Sequence, residues 1–391
     1  MGAKNKTIKY LSYCYLLLIT LASCRSQETQ EANGNPKLSF EHVIIDSNNP
    51  PNPHCKTVGD INGDDLPDIL AASDQGDTTG LFWYEYPNWT KYKISGGSFT
   101  TDMQVGDIDN DGDLDVIIPK GADPSNTVWW YENPRPNGMP SEDPWIEHKI
   151  IDAGAHDVEL ADMNRDGMLD VVIRLGNVSV LLQGLNDSWI NIPINTGGHT
   201  GSSLEDINGD GRIDIILDGY WLEAPIDLIQ GEWERHKFAD GWEGKDVGVT
   251  PADLNNDNRP DIIIAPSESE GQLIWYEAPA DPTNEDQWVA HTIDSTVSYI
   301  HTFKVADMDL DGDIDIITAE MHQSETRRVS VYLNAGNSLN WEPLIVATTG
   351  SHNLRIADID NDGDMDIVGA NWNNDSPTNG AIELWRNNLR N

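Results

Sequence analysis

The chain has 391 residues, 38% of them apolar, enough for two average domains or one large repeat array. Its 66 acidic side chains against 24 basic ones give a formal charge of −42, a surface that repels phosphate backbones and excludes nucleic acid as a partner. Beyond Cys24 the only cysteine is Cys55, which excludes a disulfide framework for the body of the chain.

The first segment carries Lys4, Lys6 and Lys9, then an apolar stretch over residues 10–21, then Leu-Ala-Ser-Cys ending at Cys24. This has the form of a secretory signal and is too short for a spanning helix. The ending resembles the bacterial lipoprotein box, which implies cleavage before Cys24, lipidation of its thiol and export to an outer membrane, on the cell-surface or periplasmic side. The plainer alternative is a signal peptide with a chance cysteine. The expected organisation is a signal peptide over 1–23, a polar tether over 24–37 and a folded body over 38–391, touching the membrane only through the lipid.

From Leu38 onward a nine-residue phrase returns seven times, with oxygen side chains at positions 1, 3, 5 and 9. In chain order these are Asp60, Asn62, Asp64 and Asp68; Asp107, Asp109, Asp111 and Asp115; Asp162, Asn164, Asp166 and Asp170; Asp206, Asn208, Asp210 and Asp214. The last three are Asp253, Asn255, Asp257 and Asp261; Asp307, Asp309, Asp311 and Asp315; Asp358, Asp360, Asp362 and Asp366. A hard cation takes six to eight oxygens at roughly 2.3–2.6 Å, so each loop is a candidate Ca2+ site. Position 6 is Gly in five copies and Asp65 or Asn258 in the others, all residue types that accept a left-handed backbone. An EF-hand is excluded, because position 12 is Ala71, Ile118 or Ile173 inside a β-branched run where a bidentate Glu would be needed. The loops contain 28 of the acidic residues, so the acidity is largely a consequence of metal binding.

First-position aspartates lie 47, 55, 44, 47, 54 and 51 residues apart, the length of a four-stranded propeller blade. A short apolar strand precedes each loop and a buried run such as DVIIP follows it. A third, aromatic strand (GLFWYEYP, TVWWYENP, QLIWYEAP) and a fourth (PWIEHKIID, EWERHKFAD) complete the unit. The aromatic runs invite sugar stacking, but their regular recurrence favours packing between blades. The chain ends in a third strand, AIELWRNN, while LSFEHVIID at Leu38 is a fourth strand without a third before it. The fold expected is all-β, a seven-bladed β-propeller whose N-terminal strand completes the last blade, leaving a monomer without open sheet edges.

His54, His156, His301 and His352 stand six residues before their loops and His199 seven, on the face opposite the aspartates. Lys120, Arg174, Tyr220, Trp221, His322, Arg327, Arg328 and Trp372 follow the second strands and are expected at the same mouth. The alternative for the His ring is structural hydrogen bonding between blades. A further set, His42, His148, His236 and His291, falls in outer strands and reads as structural. Several neutral imidazoles at one mouth could hold zinc.

The aspartate loops resemble those of integrin α-subunit propellers and of bacterial VCBS or FG-GAP repeat proteins, although the Phe-Gly-Gly-Ala-Pro signature is absent. Together with the lipoprotein ending, the chain resembles the propeller ulvan lyases and ulvan oligosaccharide dehydratases. That resemblance implies β-elimination on an acidic, uronate-containing poly- or oligosaccharide at the loop-free mouth. His156, His199, Tyr220, Arg174, His301 and His322 are the matching residue types. The alternative is a non-catalytic, calcium-stabilised surface propeller that binds glycan or protein.

Overall fold

A computed structural model describes residues 38–47, 53, 55–73, 80–122, 125–185, 188–336, 338–372 and 377–390. The signal peptide, the tether, Cys24 and His54 lie outside the described residues. Among the described residues the structure is all-β: 27 strands and one 3-10 turn, Glu285–Gln287.

The strands form seven antiparallel sheets, six of four strands and one of three. The exception is an artefact of a tight hairpin. Its middle strand, Asp170–Gln183, would stretch its ends roughly 40 Å apart if straight. Yet the Gln183 N–H donates to Asp170 Oδ1 at 2.8 Å, and Gly176 has φ +80°, so the strand doubles back on itself. Seven four-stranded blades result.

Closure occurs as expected: Phe40–Asp46 pairs with Ile382–Asn387, from Phe40 opposite Asn387 to Asp46 opposite Ile382. The first and last segments thus share one blade, which removes the edges an open array would expose.

The core lies between blades. Leu70 and Trp83 of the first blade pack with Val116, Ile118 and Tyr131 of the second, and equivalent clusters recur around the ring. Trp83, Trp130, Trp221, Trp275 and Trp385 are all at most 1% exposed, so the aromatic third strands serve packing. The outer histidines belong to the same device. His148 stacks on Trp130 at 4.2 Å and meets Glu132 at 2.7 Å; His291 stacks on Trp275 at 4.4 Å and meets Glu277 at 3.0 Å. His236 with Trp221 and Glu223, and His42 with Trp385 and Glu383, repeat the arrangement. In the first blade Tyr92 takes the histidine's place, stacking on Trp83 at 4.7 Å and donating to Glu85. Each such ring pair is worth about 0.5–1.5 kcal/mol beyond its buried area.

Candidate functional site

The aspartate loops are built by their own backbone. In all seven, the first carboxylate accepts the N–H of positions 5 and 6, as Asp307 does from Asp311 at 3.1 Å and Gly312 at 3.0 Å. Position 6 is left-handed throughout, including Asp65 at φ +67° and Asn258 at +64°. Position 4 is left-handed too, in Gly63, Asn110, Arg165, Gly209, Asn256, Leu310 and Asn361. The sequence reading missed that second constraint, although Gly or Asn at five of the seven positions carried it.

The ninth aspartate anchors its loop to the backbone. Each is at most 1% exposed, and each accepts two backbone N–H groups: one from position 2 of its own loop, one from the end of the third strand. For Asp315 these are Met308 and Asn334, both at 2.8 Å. Burial pushes its carboxyl up to about 7 against those two donors. Asn133, Gln183, Asn334 and Asn387 then donate their side-chain amides to the preceding blade's loop carbonyl, so aspartate loops and blade packing form one network. In three loops, Asp107/Asp109/Asp111, Asp307/Asp309/Asp311 and Asp358/Asp360/Asp362, three carboxylate oxygens lie within 4.8 Å of one another. This spacing and all-oxygen donor set fit calcium.

The other end of the inner strands is some 20 Å away, the length of six extended residues. A cavity of about 150 Å³ opens there, lined by residues including Asp102, His156, Asp157, Glu159, His301 and Arg355. Its floor is closed by contacts that skip blades. Arg355 of the last blade meets Asp102 of the second at 2.7 Å, and the Asn353 amide donates to the Thr101 carbonyl at 2.9 Å. His156 of the third blade meets His301 of the sixth with ring centroids 5.5 Å apart. Deeper in, Glu159 and Lys304 share the channel with that ion pair. Burial and the Asp102 charge raise the Glu159 carboxyl, while burial and the Arg355 charge lower the Lys304 amine.

The two histidines at the cavity have unlike surroundings. Because the Asn353 amide nitrogen is committed to a carbonyl, its Oδ1 faces His301 Nδ1 at 3.1 Å. His301 therefore carries its proton on Nδ1 and presents Nε2 as an acceptor, 3.6 Å from Glu268. Burial and the His156 charge lower its pKa to about 4. His156 Nδ1 lies 3.0 Å from Asp157. Burial would raise the Asp157 carboxyl, but the His156 charge and hydrogen bond, the Gly201 N–H at 2.6 Å and Arg174 outweigh it and hold it below the ordinary range. Burial raises the Glu268 carboxyl, against the pull of His156.

Other expected residues fall elsewhere. His352 joins the cluster, 4.1 Å from the His301 ring, and His322 lies 4.9 Å from Trp372, which also contacts His352. His199 stands on the rim with Nδ1 3.8 Å from Asp246. Two of the expected site residues are buried. Arg174 is fully buried, bound to Asp218 at 2.5 Å and to the Gly201 carbonyl, so its guanidinium is committed within the protein and acts on the cavity only through Asp157. Tyr220 is 2% exposed, its hydroxyl donating to Thr196 at 3.0 Å and its ring covered by Arg235 at 3.6 Å. Lys120 and Arg328 are likewise paired, with Glu147 and Glu320. Trp221 is buried core. Sequence reasoning overlooked Asp157, although it directly follows His156, and Asn353, which follows His352. It also overlooked Glu268, which no local pattern marks. Among the described residues the convergent three-ligand sets lie in the aspartate loops and on an outer strand, and the imidazoles at the cavity form none.

Fold and site together define a seven-bladed β-propeller with aspartate loops on one rim and a histidine cavity on the other. Within it the chain carries FG-GAP-like repeats, matched over residues 60–118, 253–318 and 307–369. Solved structures of similar fold include BBS1N in complex with ARL6DN, at 10% identity over 89% of this chain and 96% of that one, TM-score 0.56. The biofilm matrix protein Bap1 of V. cholerae is similar at 10% identity over 90% and 91%, TM-score 0.51. The rhamnogalacturonan lyase PL11 of Bacillus licheniformis matches at 12% identity over 90% and 74%, with a TM-score of 0.48. At these identities the likeness is one of fold alone. A search among curated proteins finds no match.

Proposed function

We propose that this protein is a carbon–oxygen lyase that performs β-elimination on uronate-containing poly- or oligosaccharide at the histidine cavity. The observation that carries this reading is the contact of His156 and His301, 5.5 Å apart, with the His301 pKa lowered to about 4 and His156 beside the Asp157 carboxylate. Neighbouring titratable groups in unlike surroundings are how a site acquires an acid and a base at one pH. His301, neutral with its Nε2 lone pair presented, takes the C5 proton. His156, beside ionised Asp157, supplies the positive charge that faces the substrate carboxylate, without which that proton is too weakly acidic. The C5–H electron pair becomes the C4=C5 double bond as the C4–O bond breaks. Glu268, its carboxyl raised by burial, hands a proton to the departing oxygen. A sugar on that oxygen makes the enzyme a polysaccharide lyase, and a free hydroxyl makes it a dehydratase.

In this reading Arg174 and Tyr220 shape the protein and the chemistry falls to His156, His301 and Glu268. The aspartate loops hold structural Ca2+, supported by their oxygen spacing, and lipidation at Cys24 tethers a monomeric body to the outer membrane. The test is the ultraviolet absorbance of the unsaturated uronate formed from ulvan, alginate or glycosaminoglycan fragments in the presence of calcium. Activity in the native protein that falls at least about 100-fold in His301→Gln is expected. Silence on every uronate, or an unchanged His301→Gln, would leave the surface-binding propeller as the better account.

A further inference from the structure

On the outer wall of the fourth blade, far in sequence from the cavity histidines, Glu223, Glu234 and His236 each place one ligand atom within 4.8 Å of the others. The set arises from the packing device described above. In the second and fifth blades the equivalent Glu132 and Glu277 bond His148 and His291, and their cross-strand partners are apolar, Ile146 and Val289. In the fourth blade that partner is Glu234, directly opposite Glu223. Like charges facing across an antiparallel pair are destabilising unless something positive stands between them. Arg212 answers only part of this charge, reaching Glu223 Oε1 at 3.3 Å, while Glu223 Oε2 faces His236 Nε2 at 3.1 Å. Asp281 of the next blade adds negative charge near His236.

We infer that Glu223, Glu234 and His236 form a binding site for a divalent transition-metal ion of the zinc class. Two carboxylates and an imidazole are a mixed O/N donor set of the kind that takes zinc with water in the fourth position, and too few oxygens for calcium. His236 is buried and stacked on Trp221 at 4.5 Å, whereas Glu234 is exposed. The ligand atoms lie no more than 4.8 Å apart, so closing to the roughly 3.4 Å edge of a tetrahedral site asks for a shift of at most about 1.4 Å.

The experiment is calorimetric titration of the calcium-saturated full chain with Zn2+. Native protein is expected to bind one ion, and Glu234→Val roughly 100-fold more weakly. This variant installs the residue type that the fifth blade carries at the equivalent place, so its fold, checked by circular dichroism, is expected to persist. His301→Gln is expected to bind zinc as the native protein does. Absence of stoichiometric zinc binding, equal affinity in Glu234→Val, or loss in His301→Gln would each overturn the proposal.

Discussion

Asp315→Ala separates two jobs that the sequence merges into one motif. The native carboxylate is fully buried and accepts the Met308 and Asn334 N–H groups at 2.8 Å each. Alanine orphans both donors, at about 1–3 kcal/mol apiece, so the central expectation is a loss of about 4 kcal/mol. Against a net stability of roughly 5–15 kcal/mol this is a large fraction. Asp309→Ala is the comparison: Asp309 is a half-buried third-position residue whose oxygen converges with Asp307 and Asp311. Urea unfolding of native protein and both variants would be followed with saturating Ca2+ and again with a chelator. The Asp309→Ala loss is expected to disappear in chelator, because it acts through the cation. The Asp315→Ala loss is expected to remain, because backbone donors are indifferent to calcium. If both losses vanish together on chelation, the ninth aspartate acts through the ion and the hydrogen-bond account is refuted.

His301→Gln bears on stability as well as activity. The folded pKa of about 4 lies below the ordinary 6.5, so between those values the unfolded chain binds more protons than the native one. Native stability should therefore be undiminished by this residue above about pH 6.5 and fall by about 3 kcal/mol toward pH 4, a slope the glutamine variant loses. The groups acting on His301 are His156, Asp157, Asn353, Lys56 and Glu268, and none of them is altered in the variant. Arg174→Met should cost about 3–5 kcal/mol by stranding Asp218, and in a protein that still folds it should leave KM for an acidic glycan unchanged. A fold-neutral variant with a raised KM would restore Arg174 to the site. Deleting residues 38–46 uncovers the Ile382–Asn387 edge and should shift the protein toward larger oligomers in size-exclusion chromatography relative to the native chain.

What could be read locally was read well, and the reason is periodicity. Seven copies of one phrase at blade spacing imply the propeller, and an unpaired third strand at one end with an unpaired fourth at the other implies the closure. Left-handed position 6 follows from Gly, Asp65 and Asn258, and the outer histidines were set aside as structural for a reason the Trp–His–Glu contacts bear out. Each of these is a property of one repeat unit or of its neighbours in sequence.

The mouth was decided by the ring. Which histidines meet depends on the width of a channel that seven blades enclose, and there His156 reaches across to His301 while His199 stays at the rim. Arg355 passes over the first blade to Asp102 for the same reason. Arg174 and Tyr220 differ from blade to blade and so looked functional, yet both were recruited to fill and neutralise an interface between blades three and four. The chain alone determined the repeat, its metal-ready loops and how the circle closes, because those are short-range. Only the closed circle determined that His301 is buried against His156 and its pKa lowered, because burial and cross-channel neighbours exist nowhere but in the assembled ring.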